Sequence, residues 1–260
     1  MNGLAFSRRS VLAITGGLLL CPSAVTRATA AQIKVLTSVA LTAALNELAP
    51  KFEEASGDKL DIGYSLIADI RKRMLAGETA DVIILSRPVM DELQKQDKFA
   101  PNSVVDVAGT PVALAIRAGA PKPDIGTVEA LKKTLLNAKS IVYADPAKGG
   151  AAGVYFAHVI DQLGIADQLK PKTIFVSGAQ AADTVAKGEA EIGVGQTSEI
   201  VPVTGAQVLG PLPGAFASTT VFTAGIGASS KNPDAAKALI QFLTGPIAKP
   251  ILSAKGFQPG

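Results

Sequence analysis

What most constrains this chain is a repeated alternation: short aliphatic runs followed by apolar residues at helical spacing. Ile33 to Leu36 reads as a buried strand, and Leu41, Leu45, Leu48 and Phe52 then mark one helix face until Ser56-Gly57 stops it. Leu60 to Tyr64 is the next strand, and Ile67, Ile70 and Met74 form a helical face that ends at Gly77. Val82 to Leu85 is a third strand, followed by a helix from about Pro88 to Gln96. Strands that each return through a helix must lie parallel, so this part of the chain predicts an α/β layer with helices on both faces.

After Pro101 the pattern loosens around a strand from Val112 to Ile116, and then the rhythm restarts. Helices are expected over Val128 to Leu136, Gly153 to Leu163 and Ala181 to Ala186, with strands at Ile141 to Tyr143, Thr173 to Val176 and Glu191 to Val194. A last strand, Thr220 to Gly225, precedes a helix from Asn232 to Leu243. The stretches "LAGETADVIIL" at 75 to 85 and "AKGEAEIGVG" at 186 to 195 echo each other as a helix end, a glycine, an acidic residue and a strand. The double rhythm predicts two similar lobes: 31–111, then 112–218, with 219–260 returning to the first. The crossings are expected at Val112 to Arg117 and Thr220 to Gly225.

Residues 1–30 have the layout of an export signal and are set apart from the fold. Ser7-Arg8-Arg9-Ser10-Val11-Leu12, the apolar run Ala13 to Leu20 and the small residues Ala28-Thr29-Ala30 fit a twin-arginine signal cleaved before Ala31. The uninterrupted apolar run is far shorter than the roughly 20 residues needed to span a bilayer. Cys21 follows Leu20 rather than a small residue, which does not fit a lipoprotein site. The expected location is therefore the periplasm, with no membrane insertion after cleavage.

Charge and rare residues then exclude whole classes of function. Taking Arg8, Arg9 and Arg27 from the 25 basic residues leaves 22, against 22 acidic. A formally neutral protein lacks the cationic surplus by which nucleic acid or an anionic membrane is recognised. The single cysteine, Cys21, lies in the signal, so disulfides, thiolate metal sites and a cysteine nucleophile are not expected in the mature chain. One histidine, His158, cannot make a histidine-rich metal site, and it falls roughly 7.5 Å along its helix from Gly153, which suits a structural or exposed role. No metal and no cofactor is expected. Neither a G-x-S-x-G elbow nor a phosphate-loop lysine motif occurs.

Ligands in such folds sit outside the carboxyl ends of strands, beside helix N-termini whose unpaired N–H groups favour anions. Three loops of small residues meet that description: Thr37-Ser38-Val39-Ala40, Tyr64-Ser65-Leu66, and Lys148 to Gly153 with Gly150, Ala152 and Gly153 at the mouth of a helix. Gln180 and the stretch Gly195-Gln196-Thr197-Ser198 would add neutral donors and acceptors from the second lobe. Arg87, at the end of the third strand, could grip a carboxylate in bidentate fashion. Arg71, Lys72 and Arg73 fall off the buried face of their helix and read as a solvated stripe.

With "VLTSVALTAAL", "MLAGETADVIIL", "GGAAGVYFAHVIDQLG", "GEAEIGVGQTSEI" and "FLTGPIAKPILSAKGF" in view, the chain resembles the periplasmic molybdate-binding proteins of ABC importers, within the type II solute-binding fold. The resemblance covers 31–260. It implies two lobes, each a mainly parallel sheet flanked by helices, a ligand cleft between them, an ABC permease as partner, and a monomer. In that family a first-loop serine holds the oxyanion; here its position is Ala40. The second ligand-binding serine falls at about Ile67 and the contacting tyrosine near Gln196, while the backbone contact around Ala152 carries over. Losing two hydroxyl donors, each contributing roughly 1.5–3 kcal/mol to a charged acceptor, disfavours molybdate or tungstate. The pocket is expected to suit a small, partly apolar organic anion such as a di- or tricarboxylate, with Ser38, Ser65, helix amides and Arg87 as the grip.

Aconitate isomerase, which interconverts cis- and trans-aconitate, is similar to the same family, so catalysis is the alternative expectation. A 1,3-proton shift needs a base within about 2.6–3.2 Å of a carbon-bound proton. Tyr64, at a strand end, is the best-placed candidate by sequence, with Glu199 or Asp183 behind it.

Overall fold

The computed structural model describes Met1 and residues 30–260, so the expected export signal lies outside the described residues apart from its ends. Strand β1 (Gln32–Ser38) runs through a tight turn at 39–41 into α1 (Thr42–Ser56), followed by β2 (Lys59–Ser65), α2 (Ile67–Leu75), β3 (Val82–Ser86) and α3 (Arg87–Gln94). The middle of the chain holds β4 (Val105–Arg117), α4 (Val128–Asn137), β5 (Ile141–Ala144), α5 (Ala151–Gln162), the short α6 (Ala166–Leu169) and β6 (Thr173–Val176). It continues through α7 (Ala181–Ala186), β7 (Ile192–Gln196), α8 (Thr197–Ile200) and β8 (Ala206–Pro211). The chain closes with β9 (Thr219–Ile226), α9 (Pro233–Thr244), α10 (Ala248–Ala254) and β10 (Gln258–Pro259).

The molecule is a two-lobed α/β protein whose strands follow the order β2-β1-β3-β9-β4-β7-β5-β6, with β8 and β10 also pairing β4. Strands β1, β2 and β3 are parallel, as are β5, β6 and β7, because each connection runs through a helix. The antiparallel ladders β3 with β9, β9 with β4, and β4 with β7 join the two parallel groups. Strand β4 belongs to both: residues 105–111 pair β9, and residues 112–117 pair β7 and β8.

The core divides in the same way. Its largest cluster draws on residues 33–108 and 222–257, and the next on residues 112–216. The face of α1 anticipated from spacing is buried, with Leu41, Leu45, Leu48 and Phe52 all 3% exposed or less. Each such side chain contributes about 1.5–3 kcal/mol on leaving water.

Two differences from the sequence reading have physical causes. Strand β4 starts seven residues before Val112, because Gly109 and Pro111 resemble a break. Pro111 is tolerated where the strand changes partners: it faces Thr219, and the Val112 N–H beyond it donates to Ser218 O at 2.9 Å. The helix at 151 begins two residues earlier than Gly153, since Gly150 in extended conformation serves as its N-cap. The echo between the two lobes is structural: Gly77 and Gly188 have φ of 99° and 78° and close α2 and α7 just ahead of β3 and β7. Among the described residues, no helix is long and apolar enough to cross a membrane.

Candidate functional site

Five chain segments meet at a small cavity between the lobes, one of them Gly178 and Ala181 at the start of α7. Ser38 and Val39 come from the end of β1, Leu66 and Ile67 from the start of α2. The second lobe contributes Ala144 and Gly150 to Ala152 at the junction of β5 and α5, then Gln196 and Glu199 at α8. The space is about 20 Å³, room for about one water, so a larger ligand does not fit the cavity as it stands. The mouth is narrow: a Cβ added at Gly149 would lie 2.7 Å from the Ala68 Cβ of the opposite lobe, and one at Gly178 would lie 4.0 Å from Leu66 Cδ2. Ala151 packs onto the core of the first lobe from across the cleft.

The anion-favouring features are backbone features. Neither Leu66 nor Gly150 caps its helix with a side chain, so the first N–H groups of α2 and α5, which start at residues lining the cavity, have no side-chain acceptor at the cap. Gly153, one turn on, does not line the cavity; a Cβ there would sit 2.0 Å from Ala144 O, so it serves close packing of α5 on β5. Ser38 is 4% exposed, and its hydroxyl oxygen accepts from Ala40 N at 3.3 Å, which leaves the hydroxyl hydrogen free to donate.

Other residues singled out by sequence are engaged elsewhere. Thr37 is fully buried and donates to Ile84 O at 3.2 Å. Ala40 is buried behind the turn. Tyr64 donates to Asn46 Oδ1 at 3.2 Å, and burial pushes its pKa up, which makes the phenolate scarcer still. Ser65 donates to Asp69 Oδ2 at 3.2 Å. Arg87 is ion-paired with Asp106 and lies 3.8 Å from Asp91, so it does not reach the cavity. Gln180 is exposed at the start of α7. Thr197 donates to Gly256 O at 2.6 Å and shares a 2.9 Å hydrogen bond with Thr110 Oγ1, which ties α8 to the first lobe. Arg71 pairs with Glu92, and His158 is exposed.

Gln196 is the polar group most committed to the cavity. It is 2% exposed, and its Nε2 lies 3.0 Å from Thr220 Oγ1. Its Oε1 lies near the Glu199 N–H, in the arrangement of a helix cap, yet makes no hydrogen bond of normal geometry. Since a hydroxyl both donates and accepts, the amide can turn over and offer its NH₂ to an anion without losing Thr220.

Among the described residues, Glu199 is the only ionisable one in the lining. One carboxylate oxygen accepts from Gln196 N at 3.0 Å, and among the described residues no cation pairs with the group. Part of the side chain stays accessible where it borders the cavity, but the carboxyl is deep enough that desolvation pushes its pKa up, against a smaller opposing effect of the Gln196 N–H. Sequence ranked it behind Tyr64 as a candidate base; its burial and its lack of a counter-charge depend on contacts from distant segments.

Comparison with known proteins gives this arrangement a context. A family model described as bacterial extracellular solute-binding protein matches residues 33–258. Over 261 aligned positions the chain is 32% identical to an aconitate isomerase from a Pseudomonas species, covering 98% of both chains. It is 28% identical to the molybdate-binding protein of Azotobacter vinelandii, covering 96% of each. The solved periplasmic molybdate-binding protein of Azotobacter vinelandii superimposes with a TM-score of 0.70 at 21% identity, over 88% of this chain and 99% of that one.

Proposed function

Because the chain belongs to the bacterial extracellular solute-binding protein family, we propose that its cleft takes up a small organic anion, a di- or tricarboxylate, in the periplasm. The observation that carries this reading is the mixed lining. Open helix N-termini, Ser38 and Gln196 offer neutral donors, while Val39, Leu66, Ile67 and Val194 offer apolar surface that a carbon skeleton can cover. In this reading the lobes are 31–111 with 219–260, and 112–218. The protein acts as a monomer and delivers its ligand to an ABC permease. Ser38, Gly150, Ala152 and Gln196 hold the ligand. Ser65 and Thr197 stand behind them as supports.

A ligand at 100 times its dissociation constant adds about 2.7 kcal/mol of stability, which raises the melting temperature of a protein this size by several degrees. Thermal melts with small di- and tricarboxylates beside molybdate and tungstate test the assignment. A shift with carboxylates is expected, and stabilisation by molybdate alone would sink it.

A second reading, isomerisation of aconitate, is favoured by the 32% identity extending over 98% of both chains and by a carboxyl group inside the cleft. Incubation with trans-aconitate, followed by NMR for cis-aconitate, separates the two. Failure to convert at high protein concentration leaves binding alone.

A further inference from the structure

We propose that Glu199 is the proton-transfer residue of this cleft, acting on an unsaturated carboxylate that carries a C–H bond between a carboxylate and a double bond. This rests on the isomerase reading and deepens it by naming the acid–base group and the feature of the substrate it needs.

Glu199 and its surroundings do not behave as a purely structural cap. Helix α8 is only four residues long, and capping it requires one acceptor for the Gln196 N–H, which a neutral glutamine supplies equally well. An ionisable carboxyl held away from water with no cation beside it is costly, so its presence at the cavity wall calls for a reason beyond the cap. The elements packed around α8 are β4, β7, β8, α7 and the turn at 39–41. Their charged side chains are Asp106, Arg117 and Asp183. Asp106 is taken by Arg87 and Thr223, Arg117 reaches Gly188 at the far end of β4, and Asp183 is exposed. None neutralises Glu199. Among the described residues its second oxygen makes no hydrogen bond, and Gln196 Oε1 is buried without a partner. The second carboxylate oxygen is thus free to take a proton, and the Gln196 amide can turn its NH₂ toward a ligand carboxylate.

The proton step balances without a further reactant. The Glu199 carboxylate takes the proton from the sp³ carbon as that C–H bond breaks, and the electron pair spreads over the allyl unit and its attached carboxylates. Those carboxylates lie against the open N–H groups of α2 and α5, which stabilise the developing charge. The double bond migrates, the neutral Glu199 carboxyl returns the proton to the other end of the allyl unit, and the carboxylate is restored. A glutamate whose pKa is raised by burial holds a proton more readily than one in open water, which suits taking and returning a proton in one cycle.

The test uses the full-length protein with trans-aconitate in D₂O. Deuterium wash-in is followed by NMR, and binding is measured separately by calorimetry. Wild-type protein is expected to exchange the carbon-bound protons, with a rate that rises with pH along one ionisation above the ordinary glutamate value. Glu199→Gln keeps the acceptor for Gln196 N–H; it should bind nearly as well but exchange roughly 100-fold more slowly and without that pH dependence. Glu199→Asp should recover part of the rate. Exchange by Glu199→Gln at the wild-type rate overturns the role of Glu199 and leaves the isomerase reading standing. Binding with neither exchange nor conversion to cis-aconitate by wild type overturns both and leaves the carrier reading. A flat wild-type pH profile overturns the assignment even if the glutamine variant does not fold.

Discussion

Ser38 and Thr42 are near neighbours with opposite prospects. The Ser38 hydroxyl lines the cavity and keeps its hydrogen free, whereas Thr42 spends its own on Val39 O at 2.7 Å. Ser38→Ala is therefore expected to weaken carboxylate binding about tenfold or more, and Thr42→Ala to leave it unchanged, as read by calorimetry. Equal, negligible effects would return Ser38 to a turn-forming role. Away from the cleft, hydrogen bonds from Arg73 and then Lys34 lower the pKa of Glu78 to about 2. A depressed carboxyl adds stability above its unfolded pKa and loses it as pH falls toward the folded value. The three side chains are 26–43% exposed, so solvent screens the pairing to about 1 kcal/mol or less. Melts of Glu78→Gln should trail wild type by about 2 °C at neutral pH, and the gap should close as pH falls from about 4.5 toward 2. At this scale the sequence was informative about position and poor about partners. Arg87 stands at a strand end as read, but nothing local reveals that Asp106, nineteen residues on, has claimed it.

Elements whose apolar spacing was regular were legible, because a helix with one buried face writes that face into its sequence. Helices α1, α2 and α4 start and stop within a few residues of expectation. Strand β4 was legible only in its second half, since its first half carries Gly109 and Pro111 and its identity depends on pairing with β9, more than a hundred residues away. The start of α5 mixes both cases. Its glycines pointed to close approach, yet composition could not say whether a ligand or the protein was being approached, and at Gly153 it is the Ala144 carbonyl. Gly153→Ala must lift α5 from β5. A loss of about 1–3 kcal/mol is expected, seen as a fall of several degrees in melting temperature, with weaker ligand binding as the helix mouth shifts.

For the whole molecule, the two-lobed architecture followed from the doubled rhythm, but the closed mouth did not, because it depends on how one lobe is posed against the other. Ala68 is exposed on α2 and faces Gly149 across that mouth. Ala68→Leu adds bulk there without touching either core. It should hold the lobes apart, enlarge the radius of gyration seen by small-angle scattering in the presence of ligand, and weaken binding about tenfold. The melting temperature without ligand should stay within about 2 °C of wild type. An unchanged affinity would mean that closure is not part of binding. The place of β9 between β3 and β4 also bears on how the protein is made. Until residue 226 has left the ribosome, β3 has no neighbour on that side and presents an open row of hydrogen-bonding groups, the kind of edge that recruits other chains. A message cut short after β8 would therefore yield a sticky fragment rather than a smaller working protein, and a cell making this protein has reason to keep the nascent chain chaperoned until its last quarter is complete.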